Sequence, residues 1–252
     1  VSASAINGLS IGARMGANST DNGNAGNVAV NSSAAISTYS DMSKGIVAQS
    51  IGNGGGIIDV TATNLNTGDF MASVNMGGSA PGTVGNVSVT TTNTMITTAG
   101  NLADGILAQS ISYGGGSFAV VDWGATFGGG TINYLLGSPG MVSSPDANSV
   151  TVRTGSIITG GYGASAITAQ SIGGSGGLLG FIVNTSSTGM YGSGALGSKG
   201  STDHSSAGGD VSVTANFYLY TSGAYAPGII AQSIGGGGGI VDSNHVQTSA
   251  AE

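Results

Sequence analysis

The chain is 252 residues long, with 49 glycines, no cysteine and a net charge of −7. Four Lys and Arg residues cannot neutralise many phosphates, which argues against nucleic-acid binding, and the missing cysteines remove disulfides, thiolate metal sites and cysteine nucleophiles. No apolar run approaches the roughly 20 residues of a membrane-spanning helix, and four prolines without a Gly-X-Y period exclude collagen.

In chain order, residues 1–25 read as the tail of a preceding unit. The unit 26–84 carries Asn27-Val28-Ala29-Val30, then Gly45-Ile46-Val47-Ala48-Gln49-Ser50-Ile51 and a Gly-rich run at 52–56. The unit 85–147 repeats both phrases as Asn86-Val87-Ser88-Val89 and Gly105-Ile106-Leu107-Ala108-Gln109-Ser110-Ile111. The unit 148–208 has Ser149-Val150-Thr151-Val152 and Ala166-Ile167-Thr168-Ala169-Gln170-Ser171-Ile172. The last, 209–252, has Asp210-Val211-Ser212-Val213 and Gly228-Ile229-Ile230-Ala231-Gln232-Ser233-Ile234. The glutamines step by 60, 61 and 62 residues. Two phrases in phase four times define a repeat array, in which each unit buries its apolar face on its neighbours. Residues 1–252 are read as one such array and, because both ends fall inside the repeat, as an excerpt of a longer one.

Apolar and small polar residues alternate in Val87–Thr90, the period of a half-buried strand. Met95–Thr98, Ser117–Val121 and Thr131–Leu135 are rich in β-branched or aromatic residues, and Gly, Asn, Ser and Asp punctuate them. No stretch has helical apolar spacing. The fold class predicted is all-β, a parallel β-solenoid (β-helix) of about four 60-residue repeats. About five strands per repeat are expected to make two or three turns of the coil.

The Gly-Ile-x-Ala-Gln-Ser-Ile strand is apolar on both faces, as for a strand covered on both sides. Gln49, Gln109, Gln170 and Gln232, with Ser50, Ser110, Ser171 and Ser233, are read as structural positions. A buried Gln must satisfy its amide, through backbone at a bend or in a polar ladder. The small Ala and Ser side chains would admit a second layer, which the Gly run could supply.

The phrase from Gly228 to Ile234 followed by Gly235–Gly239 resembles the GIxAQSIGGGGG repeat of very large bacterial autotransporter passengers. Gly85–Val89 and Ile96–Thr98 match the strand before it, and the resemblance covers essentially the whole chain. Ser112-Tyr113 and Ala166 depart from the repeat and are expected to loosen a turn. The resemblance implies an extracellular, cell-surface β-solenoid stalk with adhesive or filament-like roles, secreted through a C-terminal outer-membrane barrel that this sequence does not contain.

Candidates for chemistry are few. Asp59 and Asp242 recur ten residues after a repeat Gln, and Asp122 follows thirteen after Gln109, which suggests a strand-end or turn role. The run Ser201–Ser206 reads as a solvated turn, and His204 and His245 are too isolated for zinc. No catalytic residue, metal site or cofactor is assigned. Contact surfaces are sought instead at Tyr218 and Tyr220, on the strand face opposite Phe217 and Leu219, where a tyrosine pair would stack along a sheet, stack on sugar or anchor a protein. A second is sought at Trp123 and Tyr134, in the variable stretch 117–147 read as an outcrop. The function expected is a non-enzymatic stalk contacting a host or neighbouring-cell surface through glycan or protein. The alternative is homotypic self-association, and a polysaccharide-active enzyme comes third.

Overall fold

Each unit lays one strand on each of five parallel sheets, because its alternating segments recur at the same place in every repeat. The computed structural model describes residues 2–3, 9–16, 23–63, 69–78, 82–123, 129–137, 145–183, 190–197, 206–243 and 247–248, and its regular elements there are all strands. Sheet I holds Val28–Ser32, Val87–Thr91, Val150–Thr154 and Val211–Ala215. Sheet II holds Ile36–Thr38, Met95–Thr98, Ser156–Thr159 and Leu219–Thr221. Sheet III is the Gln-Ser phrase: Ile46–Ile51, Ile106–Ile111, Ile167–Ile172 and Ile229–Ile234. Sheet IV starts in the Gly runs, with Ser2–Ala3, Gly55–Thr63, Gly115–Trp123, Gly176–Ile182 and Gly238–Ser243. Sheet V holds Leu9–Met15, Asp69–Met76, Gly129–Leu136, Met190–Leu196 and Gln247–Thr248.

Register decides the coil. Gln49 pairs with Gln109, Gln109 with Gln170 and Gln170 with Gln232. Like positions of adjacent units therefore lie side by side, and one unit is one coil. The expected two or three turns per repeat is corrected, because a single turn carries all five strands. With strands about 4.8 Å apart, a whole unit lengthens the stack by only that distance.

The coil has two lobes. Sheets I, II and III enclose a core in which Val87, Val89, Ile96, Ile106 and Ala108 meet their counterparts Val150, Val152, Ile157, Ile167 and Ala169. Sheets IV and V face each other over a second core that includes Ile58, Val74, Phe118, Ile132, Leu136 and Phe181. This lobe is built from the stretches that vary most in sequence. For the described residues of 117–147 the reading as an outcrop is thus corrected: burial needs only apolar residues at alternate positions, and Ile132, Tyr134 and Leu136 supply them. Tyr134 is 9% exposed and packs on Phe181, ring centroids 5.9 Å apart, so it is core rather than contact surface. Phe181 also meets Phe118 edge-on at 5.8 Å.

Sheet III separates the lobes. Its Ala and Ser side chains face sheet I rather than the Gly run. The Gly run lies across the other face, where Gln109 Nε2 donates to the Gly116 carbonyl at 3.5 Å. The departures Ser112 and Tyr113 do not loosen their turn. Both are buried, and Ser112 accepts from the Gly174 N–H at 2.7 Å, binding the turn to the next coil.

Candidate functional site: polar columns, a buried charge cluster and an aromatic face

The repeat glutamines form one ladder. Gln49 Nε2 donates to Gln109 Oε1 at 2.6 Å, Gln109 Nε2 to Gln170 Oε1 at 2.7 Å, and Gln170 Nε2 to Gln232 Oε1 at 2.9 Å. In-register parallel stacking places each amide directly over the next, so a donor and an acceptor meet at every step. The amides are satisfied chiefly by one another rather than by backbone at a bend. Their neighbours make a staircase. Ser50 donates to the Gly26 carbonyl and accepts from the Gly85 N–H, both at 2.9 Å. Ser110 donates to Gly85 at 3.2 Å and accepts from Asn148 at 3.1 Å, and Ser171 links Asn148 to Gly209 in the same way. Each hydroxyl thus ties its own coil and the next through the backbone entering sheet I.

Buried charge collects where the turns between sheets II and III lie against the outer face of sheet IV. In sheet IV, Asp59, Ala119, Gly180 and Asp242 form one column across the four coils. Asp59 and Asp242 are therefore strand-interior residues, which corrects the strand-end reading. Asp122 aligns with Ala62 instead. Over the small residues of this column sits Asp104, 1% exposed, whose Oδ1 accepts from the Ser165 N–H at 2.9 Å while Oδ2 has no partner. Lys44, Asp242 and Ser117 are the other polar residues lining a cavity of about 10 Å³ here, at the limit for one water molecule. Lys44 Nζ donates to the Leu102 carbonyl at 3.1 Å.

Burial lifts the Asp104 carboxyl from 3.8 to about 6. The Lys44 charge and the Ser165 N–H pull it down, and Asp242 pushes it up. Asp59 and Asp242 are raised as well, both first by burial. Between pH 4 and 6 the folded state holds a proton on Asp104 that the unfolded chain has released. Stability is then fully present below about pH 4 and falls as pH rises to about 6. Asp104→Asn keeps the Oδ1 acceptor, and is expected to flatten that part of a urea-unfolding pH profile and to stabilise the fold at pH 8 by about 2–3 kcal/mol. A profile unchanged by the substitution would show that folding does not shift the Asp104 carboxyl.

The outer face of sheet II is built differently. In sheet I the inward column runs Val87, Val150, Val211, and in sheet II it runs Ile96, Ile157, Leu219. The chain takes nine residues from Val87 to Ile96 and eight from Val211 to Leu219, but only seven from Val150 to Ile157. The short corner, at Gly155, sits between two longer ones and leaves an open groove of about 300 Å³, lined by Asn93, Thr94, Met95, Ser156 and Phe217. Asn93 takes a left-handed conformation (φ 54°), one that Asn tolerates better than most residues, and is exposed. Thr94 is 6% exposed, and its Oγ1 is buried without a partner.

Beside the groove, Tyr218 and Tyr220 are both exposed and stack nearly parallel, 8° between planes and 5.8 Å between centroids. Phe217 is exposed too, at 63%. A bend at residues 216–218 interrupts the strand, so Phe217 escapes the inward side that alternation assigned to it, and only Leu219 of that pair packs on the core. Trp123 ends its strand, paired with Thr63, but its side chain lies outside the described residues, as do His204, His245 and residues 201–205.

The structure thus brings Tyr218 and Tyr220 together, takes Tyr134 away, and adds Asn93, Thr94, Ser156 and Phe217. The only sequence signal for the added residues was the uneven corner length. Among the described residues, no three His, Cys, Asp or Glu side chains converge on a metal position. No family model, curated protein or solved structure matches the chain.

Proposed function

We propose that the chain is a structural and adhesive segment of a secreted, cell-surface β-solenoid, of the autotransporter-passenger type that its Gly-Ile-x-Ala-Gln-Ser-Ile repeats resemble. The observation that carries this reading is the unbroken register of five parallel sheets through every coil, with the Gln ladder along it. Such a stack is a scaffold. It repeats the same lateral faces at each coil, and weak contacts on repeated faces gain by avidity. The aromatic outer face of sheet II is the contact surface favoured here. In this reading the partner is a surface glycan or protein of a host or neighbouring cell.

The test is adhesion of beads coated with the folded chain to cultured epithelial cells and to bacterial lawns. Retention well above that of beads coated with heat-unfolded chain is expected. Equal retention would remove the adhesive role. Clumping of the beads with one another, without retention, would replace it by self-association.

A further inference from the structure

We propose that the groove on the outer face of sheet II, with Tyr218 and Tyr220 beside it, is a binding site for one or two sugar units of an uncharged glycan. This deepens the adhesive reading above and rests on it for its biological setting, but not for its chemistry.

A pyranose presents C–H faces and a rim of hydroxyls, so a site for it needs apolar surface and neutral hydrogen-bonding groups side by side. The groove supplies both. Phe217 and Met95 are large exposed apolar residues on opposite sides of the short corner, and Tyr218 continues the column of Met95 and Ser156. Tyr220 backs Tyr218 as a parallel ring, which holds the pair as a rigid aromatic surface and lowers the entropy lost on binding. The polar groups are the Asn93 amide, the Ser156 hydroxyl and the Thr94 hydroxyl.

Thr94 is the second, independent sign of a ligand. Buried hydroxyls are nearly always paired, yet the Oγ1 of this groove residue is buried with no partner. A turn of the Thr94 side chain about χ1 would bring it to a sugar hydroxyl on the floor. Charge narrows the class further. Among the described residues no Asp, Glu, Lys, Arg or His lines the groove, so none of them would offset the charge of a sialylated, sulfated or phosphorylated chain. The volume, about 300 Å³, suits one or two rings rather than a protein interface, which buries far more surface.

The experiment is titration calorimetry and saturation-transfer NMR on the whole chain with neutral tetrasaccharides of glucose, galactose and N-acetylglucosamine. Sialyllactose and a heparin fragment serve as charged controls. At least one neutral probe is expected to bind, and neither charged control to bind more tightly. The exposed double variant Y218A/Y220A is expected to weaken that binding by about tenfold, with an unchanged melting temperature. Thr94→Val, which keeps shape and removes the hydroxyl, is expected to weaken it several-fold.

Failure of all three neutral probes to bind, tighter binding of a charged control, or binding indifferent to these variants would overturn the proposal. The bead assay separates the two readings. Adhesion without sugar binding sinks the site and leaves the adhesin, whereas sugar binding without adhesion does the reverse. If the tyrosine variants abolish adhesion while no sugar binds, the face docks protein and the proposal falls.

Discussion

Gly176→Ala is expected to unfold the chain or cost it about 4 kcal/mol or more. The backbone there has φ 145°, open to glycine and strained for any L side chain, and a Cβ would lie 1.8 Å from the Gly238 carbonyl oxygen of the next coil. Gly115, Gly176 and Gly238 stack in register, so the obstruction is backbone against backbone and no rotamer relieves it. Gly228→Ala is the control. Its Cβ meets nothing within 4 Å, and the third coil carries Ala166 in the same column. That substitution is expected to stay within about 0.5 kcal/mol. Chemical denaturation of both variants checks the pair, and equal losses would remove close stacking as the reason for the Gly runs.

Gln109→Leu is the second large effect, expected at about 4 kcal/mol. The substitution removes both ladder bonds of a fully buried side chain, with its longer bond to the Gly116 carbonyl, and leaves Gln49 Nε2 without its acceptor and Gln170 Oε1 without its donor. Each buried group left unpaired costs about 1–3 kcal/mol, more than the missing bond itself contributed. Gln49→Leu, at the end of the described ladder, breaks one bond in a half-buried setting and is expected to cost less than half as much. Gln109→Glu keeps an acceptor for Gln49 but loses the donor to Gln170. It places a carboxyl where burial raises its pKa, so its stability is expected to fall further as pH rises. Denaturant titrations at pH 5 and pH 8 read both effects.

The fold was legible in the sequence because its rule is periodic. The two phrases in phase gave the parallel array, and Val87–Thr90, Met95–Thr98, Ser117–Val121 and Thr131–Leu135 all fall within strands. Coil count was not legible, since strand number alone does not tell how many strands close one turn. The lobe of sheets IV and V was hidden for a related reason. Its inward positions tolerate Val74, Tyr134 or Phe181 alike, so no phrase repeats. Residue types are also silent about the left-handed turn between sheets II and III. It uses Met42, Leu102 and Tyr225 at φ 51–59°, with glycine in the third coil alone. The tyrosine pair could be picked out by its alternation with Phe217 and Leu219. The groove beside it could not, because it arises from a difference in corner length between three coils that only register makes comparable.

Spending sixty residues on each coil has a mechanical consequence. A thousand residues wound this way would reach only about 80 Å, much less than narrower windings of the same chain would span. What the chain gains is girth, two cored lobes bridged by a common wall. Resistance to bending grows steeply with cross-section. A stack of this kind is better suited to resisting sideways load than to length.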